Sequence, residues 1–144
     1  MILLDANGLV SLLRSQPAGS EVATLLRQGN CAMPAPCLGE VVDLMIRTYE
    51  VDPPALSERL GALIDEVLPV LPIDQRIAWR AGELHAAHYH RKHSALSLVD
   101  CSLLAMAESE DEIATSDSAV IATAGKLDIG AIPLLDSRGQ MPHP

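Results

Sequence analysis

Apolar and polar positions along the chain alternate in blocks that predict strands interleaved with helices. Short, largely apolar runs, too brief for helices, are typical of strands covered on both faces of a sheet. The predicted strands are Met1–Leu4, Cys31–Met33, Val70–Leu71, Glu112–Ser116 and Ala131–Leu135. Pro69 and Pro72 flank the third strand and favour an edge position for it.

Between these strands, apolar residues recur at three- and four-residue spacing, which predicts helices. The predicted helices are Gly8–Arg14 (capped by Asn7), a helix from Ser20 to the Gly29–Asn30 stop, Leu38–Glu50, Ala55–Val67, a helix that Asp74 caps and that continues past Leu84, the segment Leu96–Glu108, and Ser118–Lys126. Strands that alternate with helices indicate a parallel α/β sheet sandwiched between helical layers.

Length and composition indicate a single domain over residues 1–144, in which the polar segment 136–144 is a loose tail. Hydrophobic residues make up 49% of the chain, yet Phe is absent. The core must therefore consist of Leu, Val, Ile and Ala. The same shortage of aromatic residues argues against recognition of single strands by rows of stacked rings.

The net charge of −9 makes broad, nonspecific nucleic-acid binding unfavourable and suits a basic partner or a cation. Cys31, Cys37 and Cys101 form an odd set without a C-x-x-C pair, so neither a disulfide framework nor a zinc ribbon is indicated. We expect three buried thiols in a reducing compartment, the cytoplasm. No apolar stretch has membrane-spanning length, and the N-terminal run lacks the features of a signal peptide.

Four acids occupy comparable places in the predicted fold. Asp5 and Asp117 follow strands, while Glu40 and Asp100 lie in the opening turns of helices. Sites in open parallel sheets form outside the carboxyl ends of the strands. Four carboxylates gathered there would repel one another unless protons or cations compensated, and hard oxygen ligands suit Mg²⁺ or Mn²⁺. The chemistry indicated is metal-assisted hydrolysis of a phosphodiester.

Each acid also has a purely structural explanation. Ser97-x-x-Asp100 fits a capping box. Asp117 fits a helix N-cap, Glu40 an acid near a helix N-terminus, and Asp5 a turn residue at a strand end. The functional hypothesis rests on their occurrence together.

The sequence resembles PIN domains, most closely the VapC-like toxin ribonucleases of toxin–antitoxin pairs. The matching segments are Leu3–Leu13, Gly39–Val42, Leu96–Ala107 and Ala114–Asp117. The resemblance implies a three-layer α/β/α sandwich with a five-stranded parallel sheet. It further implies an Mg²⁺-dependent endoribonuclease in which Mn²⁺ can substitute, a homodimer, and inhibition by a cognate antitoxin with a basic segment.

By that resemblance, Asp5, Glu40 and Asp100 correspond to the metal-binding, catalytic acids, and Asp117 to a fourth acid that contacts the metal directly or through water. Thr115 or Ser116 occupies the adjacent hydroxyl position. Cys101 stands where the family usually has Ala or another small residue.

Basic residues near these acids are candidates for contacts with RNA phosphates. They are Arg14 and the patch His90–His93, which includes Arg91 and Lys92. The segment His85–His93 contains four imidazoles, and zinc binding is the alternative interpretation, but no Glu or Cys completes a zinc spacing.

Two other functions remain open at this point. A phosphatase could use Asp5 as a nucleophile, although Asp5-Ala-Asn7 lacks the second acid of the usual D-x-D arrangement. A non-catalytic PIN-like module could use the acids only to bind a basic partner.

Overall fold

The computed structural model describes residues 1–143 and contains one five-stranded sheet in the order β3-β2-β1-β4-β5, with every neighbouring pair parallel. The strands are β1 (Ile2–Leu4), β2 (Cys31–Pro34), β3 (Val70–Leu71), β4 (Glu112–Thr115) and β5 (Gly130–Pro133). The chain moves outward from β1 to β2 and β3, then returns to β4 on the other side. The strand order therefore reverses between β1 and β4, and a crevice opens at their carboxyl ends.

Among residues 1–143, seven α-helices cover the sheet and complete the predicted three-layer α/β/α fold. They are α1 (Ala6–Leu13), α2 (Gly19–Arg27), α3 (Ala35–Asp43), α4 (Pro53–Glu66), α5 (Gln75–His88), α6 (Leu98–Met106) and α7 (Ser118–Lys126). The fold class and the edge position of β3 are confirmed.

Two helices begin earlier than predicted. Helix α1 starts at Ala6 because Asp5, rather than Asn7, accepts the first backbone N–H. Helix α3 starts at Ala35 because Pro36 lies in its first turn, where a fixed φ and a missing N–H are tolerated. Glu40 therefore lies in the second turn of α3, and its predicted place in the opening turn was wrong.

The predicted helix 38–50 is not continuous. It passes at Leu44 into a π-helical segment, Leu44–Thr48, and ends at Tyr49. Glu50 follows with a φ of +53°, in the left-handed region.

The core consists mainly of Leu, Val, Ile and Ala side chains, as the composition predicted, and Met33 and Met45 are buried with them. Leu3, Leu4 and Ile113 from the two central strands are fully buried, as are Leu103 and Leu104 of α6. The three cysteines are also buried and unpaired. In the part of the chain that the structure describes, no helix is both long and apolar enough to cross a membrane.

The segment that follows β5 begins with a closed turn. The Asp136 carboxylate accepts the backbone N–H groups of Arg138 and Gln140 at 2.9 and 2.8 Å. Gly139 closes this turn with a φ of +76°, a conformation that glycine adopts without strain. Of the predicted loose tail 136–144, Pro144 lies outside the described residues, and residues 141–143 have no regular secondary structure.

Candidate functional site

Asp5 lies at the carboxyl end of β1 and is only 2% exposed. One carboxylate oxygen accepts the N–H of Ala6 at 2.7 Å, and the other accepts the Thr115 hydroxyl at 2.6 Å. Burial raises the pKa of Asp5 to about 7; the Thr115 hydrogen bond opposes this increase, and the negative charges of Asp100 and Glu40 add to it. The Asp5 carboxyl therefore changes protonation state near neutral pH.

Thr115 links Asp5 to Asp117 across the crevice. While its hydroxyl donates to Asp5, its oxygen accepts the backbone N–H of Asp117 at 3.0 Å. Asp117 caps α7, because one carboxylate oxygen accepts the N–H groups of Ala119 and Val120 at 2.7 and 3.1 Å. The capping explanation holds for Asp117, and it leaves the second oxygen without a hydrogen bond among residues 1–143.

Asp100 forms the predicted capping box with Ser97. Its Oδ2 accepts the Ser97 N–H at 2.6 Å, and the Ser97 hydroxyl accepts the Asp100 N–H at 3.1 Å. Burial nevertheless raises the pKa of Asp100, and the charge of Asp117 adds to this effect although the bonds to Ser97 oppose it. Asp100 therefore both caps α6 and belongs to an acidic cluster.

Glu40 reaches the same region from α3. Burial raises its pKa, and the charges of Asp100, Asp43 and Asp117 raise it further. Asp43 itself forms an exposed ion pair with Arg47 at 2.7 Å, so it belongs to the surface of α3. The structure thus brings Asp5, Glu40, Asp100 and Asp117 into one electrostatically coupled group.

Three helices begin at, or within one turn of, residues of this group. Asp5, Ser97 and Asp117 are the N-caps of α1, α6 and α7. Helix N-termini carry partial positive charge, which offsets part of the repulsion among the acids and favours anions.

The oxygen donors suit a hard cation, but their present arrangement is open. Among residues 1–143, no three Asp, Glu, His or Cys side chains surround one point closely enough to hold a metal ion. Asp100 and Asp117 each keep one oxygen, and Glu40 keeps both, without a hydrogen bond to the described residues. Carboxylate oxygens of this kind can ligate Mg²⁺ or Mn²⁺ after side-chain rotation.

The predicted basic patch is an exposed turn beside the acids. His90 and Ser94 close this turn through two backbone hydrogen bonds, and Arg91 and Lys92 project from it. A cleft of about 400 Å³ lies between the turn and α7, with His93, Asp117 and Lys126 in its wall. The patch therefore adjoins the fourth acid.

The remaining candidates for contacts with RNA or metal lie outside the basic patch. Ser116 lines a second cleft, described below. Arg14 lies at the end of α1, where its guanidinium is 4.5 Å from the centre of the Tyr49 ring. His85, near the end of α5, stacks on Tyr89 with 4.8 Å between ring centres. Packing therefore accounts for this imidazole.

The proximity of Cys37 and of a second cleft to the acids was not expected from the sequence. Cys37 is fully buried, and burial together with the charges of Asp5, Glu40 and Asp100 raises the pKa of its thiol. Asn7 and Ser116 line a polar cleft of about 270 Å³ with Gln16 and Asp136. The sequence separation of these cleft residues hid their proximity; the only sequence signal was that Asn7 and Ser116 lie within two residues of Asp5 and Asp117.

Comparison with known proteins places this arrangement in a family. A profile described as "PIN domain" matches residues 2–127. Among solved structures, the chain is similar to a toxin–antitoxin complex from Klebsiella pneumoniae, with 21% identity and a TM-score of 0.63 over 92% of this chain and 96% of the other.

Two further structures show the same fold. FitAcB from Neisseria gonorrhoeae is 19% identical, with a TM-score of 0.62 over 92% of this chain and 96% of the other. VapBC2 from Rickettsia felis, bound to a DNA fragment from the promoter, is 13% identical, with a TM-score of 0.59 over 92% and 98%. A sequence search of curated proteins found no match. The match to the PIN profile spans most of the chain, and we conclude that the chain belongs to the PIN domain family.

Proposed function

We propose that this protein is a Mg²⁺-dependent endoribonuclease and the toxin of a toxin–antitoxin pair. The observation that carries this proposal is the coupling of Asp5, Glu40, Asp100 and Asp117 at the carboxyl ends of β1 and β4. The similarity to solved toxin–antitoxin complexes supports the toxin assignment.

In this proposal the four acids hold Mg²⁺, or Mn²⁺ in its place. When bound, the cation supplies a Lewis acid that activates water and neutralises charge on the phosphodiester. Thr115 holds the Asp5 carboxylate in one orientation through its 2.6 Å hydrogen bond. The N-termini of α6 and α7 stabilise the scissile phosphate, because they present partial positive charge at the crevice. Single-stranded RNA is the proposed substrate, since its backbone is accessible.

Basic residues around the crevice bind the flanking phosphates in this proposal. Arg91 and Lys92 project from the turn next to the Asp117 cleft, and Lys126 lines that cleft. Arg14, at the end of α1, is a further candidate contact. The net charge of −9 disfavours RNA binding over the surface as a whole. In this proposal the few basic side chains therefore bind RNA phosphates only near the crevice.

The proposed protein partner is an antitoxin that covers an apolar groove and places a basic segment at the acids. This groove of about 360 Å³ is lined by Leu38 and Val42 of α3, by Ile46 of the π-helical segment that follows, and by Leu60 and Ile64 of α4. A homodimer is the proposed assembly of the toxin itself, and the cytoplasm is its proposed location.

The alternative of a phosphatase that uses Asp5 as its nucleophile is disfavoured, because Asp5-Ala-Asn7 lacks the second acid that would serve as general acid. Trapping of a phosphorylated Asp5 would favour the phosphatase instead. The non-catalytic module remains the second hypothesis, and metal-dependent cleavage separates it from the nuclease.

The deciding experiment compares the wild-type protein with Asp5→Asn and Asp100→Asn. We expect wild-type protein to cut single-stranded RNA only with Mg²⁺ or Mn²⁺, and each variant to lose at least 100-fold in rate. Asp65→Asn, an exposed acid on α4, should retain full activity. Cleavage that persists in EDTA, or an active Asp100→Asn variant, would contradict the proposal.

A further inference from the structure

A polar cleft of about 270 Å³ is lined by Asn7 and Ser116, which are close neighbours of Asp5 and Asp117 in the sequence. Helix α1 contributes Asn7, and the loop after β4 contributes Ser116. In the sequence, Asn7 is two residues after Asp5, and Ser116 directly precedes Asp117. Asp136, from the turn after β5, forms a wall from a third part of the chain. Sites for drug-sized molecules occupy about 300 Å³ or more. The cleft is therefore suited to a smaller group, such as one nucleobase.

Fixed hydrogen-bonding groups line the cleft instead of cations. The Ser11 hydroxyl donates to Gln16 Oε1 at 3.4 Å, and Gln16 Nε2 donates to the Tyr49 hydroxyl at 3.1 Å. The Arg14 guanidinium packs over the Tyr49 ring, which holds that wall in place. Asn7 makes no side-chain hydrogen bond to the described residues, so its amide can pair with a ligand.

Asp136 determines which ligand the cleft favours. Its Oδ1 accepts two backbone N–H groups, whereas Oδ2 forms an ion pair with Nε and Nη2 of Arg138, both at 3.4 Å. This pair is as long as the Ser11–Gln16 contact, and Oδ2 retains lone-pair capacity for a ligand. The backbone N–H of Gln140 and the neighbouring Arg138 lower the pKa of Asp136, so this carboxyl is ionised at neutral pH. A carboxylate repels phosphate and accepts hydrogen bonds from N–H groups.

We propose that the cleft binds a guanine base of the RNA, directly next to the phosphate held at the acids. Among the four bases, guanine alone presents two adjacent donors, N1–H and the 2-amino group, on its Watson–Crick edge. Asp136 Oδ2 accepts from that edge, and the Asn7 amide donates to guanine O6. The proposal rests on the ribonuclease function for its placement in RNA, but the base pocket itself can be tested without catalysis.

The binding test uses the full chain in EDTA with each of the four ribonucleoside 5′-monophosphates, monitored by NMR of the side-chain amides. We expect GMP to shift the Asn7 and Gln16 signals and to bind at least tenfold more tightly than AMP, CMP or UMP. Inosine monophosphate, which lacks the 2-amino group, should bind about tenfold more weakly than GMP.

Asp136→Asn should lower GMP affinity at least tenfold, and Asp128→Asn, an exposed acid beyond α7, should not. An Asn at position 136 retains the acceptor that closes the turn, and an unchanged unfolding temperature would verify this. Equal affinities for the four nucleotides, or shifts elsewhere on the surface, would overturn the pocket.

The cleavage test maps cut ends in a randomised single-stranded RNA with Mg²⁺. We expect guanine to be enriched at least tenfold at one position next to the cut, and Asp136→Asn to remove that enrichment. Cleavage with no base preference at any position would refute the pocket and leave the nuclease proposal intact. Selective GMP binding without cleavage would support the pocket and refute the nuclease.

Discussion

At the scale of single residues, the most informative group is Asp5, a buried carboxyl whose pKa is raised to about 7. The folded protein keeps this proton up to about pH 7, whereas the unfolded chain releases it near pH 4. The folded state therefore binds more protons between these values, and the metal-free protein loses stability as pH rises through this window.

Asp5→Asn should remove this pH-dependent loss. The shift corresponds to about 4 kcal/mol at most, so the variant should equal wild type near pH 4 and exceed it by a few kcal/mol at pH 8. Urea unfolding in EDTA across this range measures the difference. Asp65→Asn is the control and should follow the wild-type profile. Parallel profiles for Asp5→Asn and wild type would show that Asp5 titrates normally.

At the scale of elements, the contact between α1 and α2 depends on a glycine. A Cβ at Gly19 would lie 2.8 Å from the backbone oxygen of Ser11, a group that cannot move without shifting α1. By contrast, a Cβ at Gly82, an exposed position inside α5, would meet nothing within 4 Å.

We expect Gly19→Ala to destabilise the protein by about 1–3 kcal/mol through this overlap. Gly82→Ala is the matched control and should stabilise it by about 0.5–1 kcal/mol, because alanine is the better helix former. Chemical denaturation of both variants tests the pair. A neutral Gly19→Ala variant would mean that α1 and α2 separate without cost.

The elements also show how far the sequence alone could lead. Apolar runs identified all five strands, and the spacing of Ser97 and Asp100 identified the capping box, because these signals are local. The candidate acids could be placed together because parallel strands end at one edge of the sheet. The contact between Gln16 and Tyr49 could not be predicted, because the two residues are 33 positions apart and Tyr49 follows a π-helical turn with no sequence signature. Helix α3 was predicted to begin at Leu38 and begins at Ala35, because Pro36 is compatible with a first helical turn.

At the scale of the whole molecule, the reactivity of the three free thiols reports whether the protein unfolds as one unit. Cys31, Cys37 and Cys101 are at most 4% exposed, and burial raises the pKa of each thiol. Cys31 lies in β2, Cys37 in α3 and Cys101 in α6, so they sample separate parts of the core.

We expect none of these thiols to react with a thiol reagent in the native protein, and all three to react together on unfolding, because the thiolate forms only after exposure. The reaction rate at pH 8, followed as a function of urea, measures this. A cysteine that reacts early would identify an element that opens independently of the rest.

The central position of β1 has a consequence for the durability of the proposed catalytic centre. Because β1 is paired on both sides, its amides can exchange with solvent only when the sheet itself comes apart, whereas short β3 at the margin can fray alone. Asp5 is attached to this most protected strand, and its partner Thr115 ends the adjacent strand β4. Local opening at the edge of the sheet would therefore leave the Asp5–Thr115 hydrogen bond intact. The proposed catalytic centre would keep its geometry while the edge strands open and close.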